Sequence, residues 1–206
     1  MSDVDERQAA AIILNDLALF NKAAVFFEER VAPRIYEEIA GFVKEWSEAR
    51  GWKCADEVTK DLTDVWVHPP EWEEDKDAPL AWFTLERQQD AGNSYQLADM
   101  VGVGQTRYGF RFKPDHSWFG GRVAWKNIVK DHSDLLLNLR ELGWEHEGNG
   151  GYFFLPVELP AGQLAAAWET QNWTDALAPL EQALGQLLTD QVHFKKFLWK
   201  AKARDE

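Results

Sequence analysis

The sequence predicts an α+β fold in which an antiparallel sheet of about five to seven strands is covered by an N-terminal helical pair and a long C-terminal helix. Three observations carry that expectation. Residues 80–87 and 108–113 alternate apolar and polar side chains, residues 5–50 repeat apolar side chains at helical spacing, and residues 174–198 do so again. With 45% hydrophobic residues, 11 Trp and 12 Phe among 206 residues, the chain has enough apolar surface for a core without disulfides. No Pro-, Gly- or Ser-rich linker divides it, so a single α+β domain is expected over 1–206: a helical pair in 1–51, a sheet in 57–158 with one inserted helix at 133–142, and C-terminal helices in 161–203.

The first fifty residues place Ile13, Leu17, Phe20, Ala24, Phe27 and Val31 on one helical stripe and Ile35, Ile39, Phe42 and Trp46 on a second. One helix of that length would run to roughly 70 Å, longer than a domain of this size is wide, so a break is expected at Pro33, giving helices near 5–31 and 33–50. Gly51 ends the second helix and lets Trp52 fold back on Trp46. The same punctuation recurs at residues 133–142, followed by Gly143 and Trp144, and in each place a strand is expected next: 64–68, ending at Pro69, and 152–155, ending at Pro156. Shared helix-ending chemistry accounts for this likeness without a duplication.

Residues 71–77, acidic and rich in turn formers, read as an exposed loop carrying Trp72. The sheet centre reads as a three-strand meander of 80–87, 97–103 and 108–113, in which Tyr108, Phe110 and Phe112 face the core while Arg111 and Lys113 face away. A second loop at 114–121 presents Trp118 and Phe119, and 122–125 reads as a short strand. Residues 144–158, with an Asn-Gly pair, read as a hairpin. Residues 161–169 form a short helix. Thr174 caps a long one, whose buried stripe is Leu177, Leu180, Leu184, Leu187, Phe194 and Leu198.

Composition narrows the function. Cys54 is the only cysteine, which excludes an internal disulfide and fits a reducing compartment. The acidic opening residues lack the basic segment of a secretory signal, and no apolar run reaches the roughly 20 residues of a membrane span. A cytoplasmic chain without membrane partners is expected. The net charge is −13, and residues 1–100 hold 22 acids against 10 bases while 101–206 hold 13 against 12. The acidic half repels polyanions and favours a basic protein partner.

Motifs for chemistry are absent. His68, His116, His132, His146 and His193 stand singly, with no HExxH and no paired Cys/His spacing, so no metal and no cofactor is expected. There is no Gly-x-Ser-x-Gly, and Gly102-Val-Gly104 lacks the third glycine of a dinucleotide fingerprint. Pro114-Asp115 with Lys126 is similar to the active-site pattern of PD-(D/E)xK nucleases, but Ala124 stands where that pattern needs a carboxylate two residues before the lysine. The departure removes a metal ligand. Helices, aromatic antiparallel sheet and helices in that order are similar to the layout of accessory domains that accompany such nucleases in prokaryotic defence proteins.

One stretch stands out in charge. From 107 to 130, six basic residues (Arg107, Arg111, Lys113, Arg122, Lys126 and Lys130) meet the single acid Asp115, with aromatic residues interleaved. The pattern suits single-stranded nucleic acid, while the plainer reading is that the stretch pairs internally with the acidic N-terminal half. The leading expectation is a non-enzymatic binding domain that engages a protein, with Arg107, Arg111, Lys113, Trp118, Arg122, Lys126 and Trp72 as contact residues. The alternative is a nucleic-acid-binding or nuclease-associated accessory domain using 107–130.

Overall fold

The structure, a computed structural model, describes residues 3–56, 62, 64–75, 78–90, 92, 94–148 and 150–202. Its elements are helices α1 (Asp3–Asn15), α2 (Leu17–Phe26), α3 (Ala32–Glu48), α4 (Gln96–Met100), α5 (Arg122–Asp131), α6 (Ser133–Glu141), α7 (Ala161–Thr170) and α8 (Thr174–Lys202). The strands are β1 (Lys53–Cys54), β2 (Trp66–His68), β3 (Glu73–Asp75), β4 (Ala78–Pro79), β5 (Ala81–Arg87), β6 (Tyr108–Pro114), β7 (Glu145–Glu147) and β8 (Tyr152–Pro156). Six strands form one antiparallel sheet in the order β1-β2-β5-β6-β8-β7, and β3 pairs with β4 in a separate ribbon. The α+β fold expected from the sequence is the fold observed.

Side chains that alternate along β5, β6 and β8 decide which face is packed. Phe83, Phe112 and Phe153 lie in register across the three strands and are fully buried, as are Leu85 and Phe110. Phe194 of α8 presses onto all three: its ring centroid is 4.3 Å from Phe112, 5.4 Å from Phe83 and 5.5 Å from Phe153. The predicted stripe of α8, from Leu177 to Leu198, is buried at every position. Helix α3 adds Ile35, Ile39, Val43 and Trp46 to the same layer, and α5 adds Trp125, Ile128 and Val129.

The two glycine stops are built alike. Gly51 donates to Glu48 and Trp52 to Ser47, while Gly143 donates to Arg140 and Trp144 to Leu139, the paired bonds of a Schellman ending. Both glycines are left-handed, at φ 69° and 89°. Trp52 packs edge-on against Trp46 at 5.5 Å, and Trp52 and Trp144 approach Phe83 at 6.2 and 5.8 Å. The hairpins β1-β2 and β7-β8 thus occupy opposite edges of one sheet. The third strand follows the hairpin in one half and precedes it in the other, so the halves are not a simple repeat.

Several expectations are corrected. Residues 97–103 are not a strand: Leu97 and Met100 are buried three apart on α4, and Gly102 at φ 72° turns the chain away. Strands β5 and β6 pair directly, so the meander is a hairpin with a long excursion. Residues 122–125 begin α5, because Trp125, Ile128 and Val129 repeat at helical spacing beyond a window too short to separate strand from helix. Residues 71–75 are no loose loop. Trp72 closes a 3-10 turn and is fully buried against Phe83 and Phe112, and β3 follows it; residues 76–77 lie outside those described, as do 57–61 and Asn149 of the hairpin turn.

The N-terminal break also moves. Pro33 sits in the first turn of α3, and a π-helical turn, Phe27–Val31, in which the Ala32 amide reaches back to Phe27, carries the helix past it. The chain bends at Asp16 instead, by 88°. Only α3 of the expected pair covers the sheet. No single helix among the described residues is long and apolar enough to cross a membrane; the bent pair of residues 4–15 and 17–48 meets that measure only together. At α8 the residue that caps the first turn is Asn172, whose side chain accepts from the Thr174 amide at 3.2 Å, rather than Thr174.

Gly51→Val and Gly143→Val are each expected to cost about 1–2 kcal/mol, from the left-handed penalty for a residue with a Cβ. No atom lies within 4 Å of the added Cβ at either site, so the loss is backbone strain alone. Urea unfolding measures it.

His68 is 2% exposed, its Nδ1 is 2.9 Å from the Pro69 carbonyl, and burial lowers its pKa from the ordinary 6.5. A base with a depressed folded pKa binds fewer protons folded than unfolded. Its stabilisation is complete above pH 6.5 and is lost as the pH falls through the lower folded value. His146, also lowered by burial, adds to the trend. The melting temperature should therefore fall on acidification below about pH 6.5, with a shallower slope in His68→Gln.

Candidate interaction surfaces

The face of the sheet opposite Phe194 is polar, and register puts Gly109, Arg111 and Lys113 there. Gly109 is required by a neighbour: a Cβ would stand 2.1 Å from the Leu155 carbonyl oxygen and 2.9 Å from the Phe154 ring. That ring lies under the Arg111 guanidinium at 5.5 Å. Arg111 is only 12% exposed. Its Nε donates to Glu147 at 2.7 Å, one terminal nitrogen donates to the Gln88 carbonyl and to Glu147, and the other to Glu86. Lys113 donates to the second oxygen of Glu86. Burial, then the neighbouring Arg111 charge, pushes the Lys113 amine below the usual lysine range.

At the rim, Arg107 holds Glu145 through both terminal nitrogens, at 2.6 and 2.5 Å, and takes Gln88 as a further acceptor. The hydrogen bond from Arg107 outweighs burial, and with a lesser one from Gln88 holds the Glu145 carboxyl below its ordinary range. A cleft of about 630 Å³ follows this network, with Arg122 at its edge, 5.9 Å from the Tyr152 ring.

Four of the seven expected contact residues, Arg107, Arg111, Lys113 and Arg122, are therefore brought to one face. The other three are not. Lys126 lies on α5 against Gly151, Trp118 is half-buried against the core, and Trp72 is inside it. Among the described residues the carboxylates paired with the basic stretch are Glu86 on β5, next to β6, and Glu145 and Glu147 on β7, beyond β8, so only one of the three comes from the acidic half. Asp115, of the nuclease-like pattern, spends its side chain on the amide and hydroxyl of Ser117. Among the described residues no group of three or more His, Cys, Asp or Glu is placed to hold a metal ion.

A second surface is apolar, and it includes Leu17 and Phe20, which the sequence placed on a stripe expected to cover the sheet. From Val4 to Arg30 no residue is buried, and Leu14, Leu17, Phe20 and Phe26 stand 69%, 52%, 50% and 53% exposed. Between α2 and the body lies a slot of about 730 Å³, walled by Phe20 and Phe27 on one side and by Leu97, Val101, Leu164 and Trp168 on the other. Phe26 meets Trp168 at 6.3 Å and Phe27 meets Tyr95 at 4.9 Å, while the Tyr95 hydroxyl donates to Glu28 at 2.7 Å. Apart from Asn21 and Lys22, α2 is apolar all round its circumference, a pattern that in water demands cover on every side. That signal was available in the sequence.

Asp99 fixes the far wall of the slot. Its buried carboxylate accepts from the Ser94 hydroxyl at 2.8 Å and from the amides of Gln105 and Thr106 at 2.8 and 3.1 Å, and it lies 2.8 Å from Arg87 Nε. Gly104 passes so close that a Cβ would overlap the carboxylate. The tie holds α4, and with it Leu97 and Val101, in place. Compared with known proteins, the chain matches no family model, no curated protein and no solved structure.

Arg111→Glu with Lys113→Glu sets two new carboxylates beside Glu86 and Glu147 on a half-buried face. A loss of about 3 kcal/mol or more is expected, the range for leaving buried charges without partners, and salt should restore part of it. Denaturant melts at low and high salt measure both effects. Unchanged stability would mean that these pairs do not form.

Proposed function

We propose that the chain is a non-enzymatic binding domain that engages a polypeptide, and that it does so through the apolar arm α1–α2 and the slot beside it. The observation that carries this reading is the arm itself: 27 consecutive residues, 4–30, with none buried. Helices of this length gain most of their stability from packing of an apolar face rather than from intrinsic propensity. Exposed apolar patches of this extent mark interaction sites. The partner's matching surface is accordingly apolar, in place of the basic one expected from net charge.

The basic stretch supports the alternative, a nucleic-acid-binding or nuclease-associated domain, less well. Arg107, Arg111 and Lys113 already donate to carboxylates and carbonyls, and phosphate would have to displace them. Photoreactive phenylalanine in place of Phe20 or of Arg111, irradiated in the source cell, separates the two. A polypeptide adduct from position 20 is the expected result. Nucleic acid joined at position 111, with nothing at position 20, would overturn the proposal.

A further inference from the structure

We infer that the occupant of the arm and slot is a second copy of this chain, an inference that rests on the binding function proposed above. The chain carries both halves of the contact side by side. Helix α1 presents Ile12, Ile13 and Leu14 as an exposed apolar edge, and the slot is walled by α2 and the body with no residue of α1 in its lining. One residue, Asp16, separates α1 from α2, whereas antiparallel helices need a connection of about two to five residues. A chain therefore cannot lay α1 back along its own α2, and a second copy can bring its α1 there. The exchange is reciprocal, so one surface makes every contact twice.

Area agrees with this occupant, and charge is small at its centre. From Ala9 to Phe27 the arm has one acid, Asp16, and one base, Lys22, while residues 4–30 as a whole hold five acids against three bases. Nine large apolar residues between Val4 and Phe26 expose the equivalent of about five whole residues, on the order of 900 Å² per copy when every side is counted, at roughly 180 Å² each, a value inside the range for an aromatic residue. A stable interface needs about 800 Å² per partner. Net charge does not separate this occupant from an anionic membrane, since both are negative; the presence of both halves of the contact in one chain favours the copy.

Sedimentation velocity of the full chain, from 0.1 to about 100 μM, a span matched to protein affinities, is the test. Twice the chain mass at micromolar concentration is expected, and Leu17→Glu/Phe20→Glu should weaken association at least 100-fold while leaving the near-ultraviolet circular dichroism of the tryptophans unchanged. A mixture of ¹⁴N chain and ¹⁵N chain with a photoreactive residue at Leu14 should give adducts between α1 of one isotope and the Trp168 segment of the other. A monomeric wild type, a dimer indifferent to the double substitution, or an adduct confined to one isotope would each overturn the inference. A monomer whose position 20 joins a different polypeptide in the cell sinks self-pairing and leaves the binding function standing. A monomer that binds neutral phosphatidylcholine vesicles and joins no polypeptide sinks both.

Discussion

The placement of Phe194 against three strands is the contact on which the rest of this structure depends. One side chain of α8 touches Phe83, Phe112 and Phe153 on β5, β6 and β8, and meets Trp144 at 4.8 Å. A buried aromatic of this kind is worth about 3–5 kcal/mol against alanine. Its larger effect is on register. With Phe83 opposite Phe112 and Phe112 opposite Phe153, period two leaves Arg111 and Lys113 no choice of face. Glu86 comes to the same side from β5 and Glu147 from β7, one strand beyond β8, so the ion pairs follow from the aromatic packing.

The same constraint reaches the sheet edges. Trp52 and Trp144 arrive from glycine-terminated helices at opposite ends of the sheet, and both close on Phe83. The left-handed glycines aim those rings, since the Schellman bonds fix where the residue after each glycine goes. Trp72 fills the remaining side of Phe83 and Phe112. Its placement explains why an acidic segment holds a fully buried tryptophan.

What could be read from the sequence was what has a period. The alternation of β6, the stripes of α3 and α8 and the two glycine stops each depend on neighbours within one turn or one strand, and each is found as read. The failures share a cause as well. Residues 97–103 look strand-like while only alternation is read; the bonds of Asp99 to Ser94, Gln105 and Thr106, five to seven residues away, tie a helix to the loops on either side and follow no period. Trp72 was misplaced because the charge of residues 71–77 outweighed one aromatic. The polar half of the candidate site was partly legible, since facing direction follows from period two, but the carboxylates that occupy it come from strands whose neighbours no local pattern names.

The apolar arm was the reverse case: its periodicity was read correctly and its burial was not. A stripe predicts that a helix face will be covered, and is silent about whether the cover lies in the same chain. Here the body is already closed by α3 and α8, and the arm joins it through the turn Phe27–Val31 and touches it only at its rim, through Phe26 and Phe27. Its helices gain little from their own chain and have much to gain from another surface. Elements with few buried contacts are the ones a protein can open and close at small cost. The aromatic core holds one wall of the slot through Asp99 and α4 and leaves the apolar arm uncovered; under the binding role proposed above, the two tasks are separate, the core positioning the slot and the arm taking up what fills it.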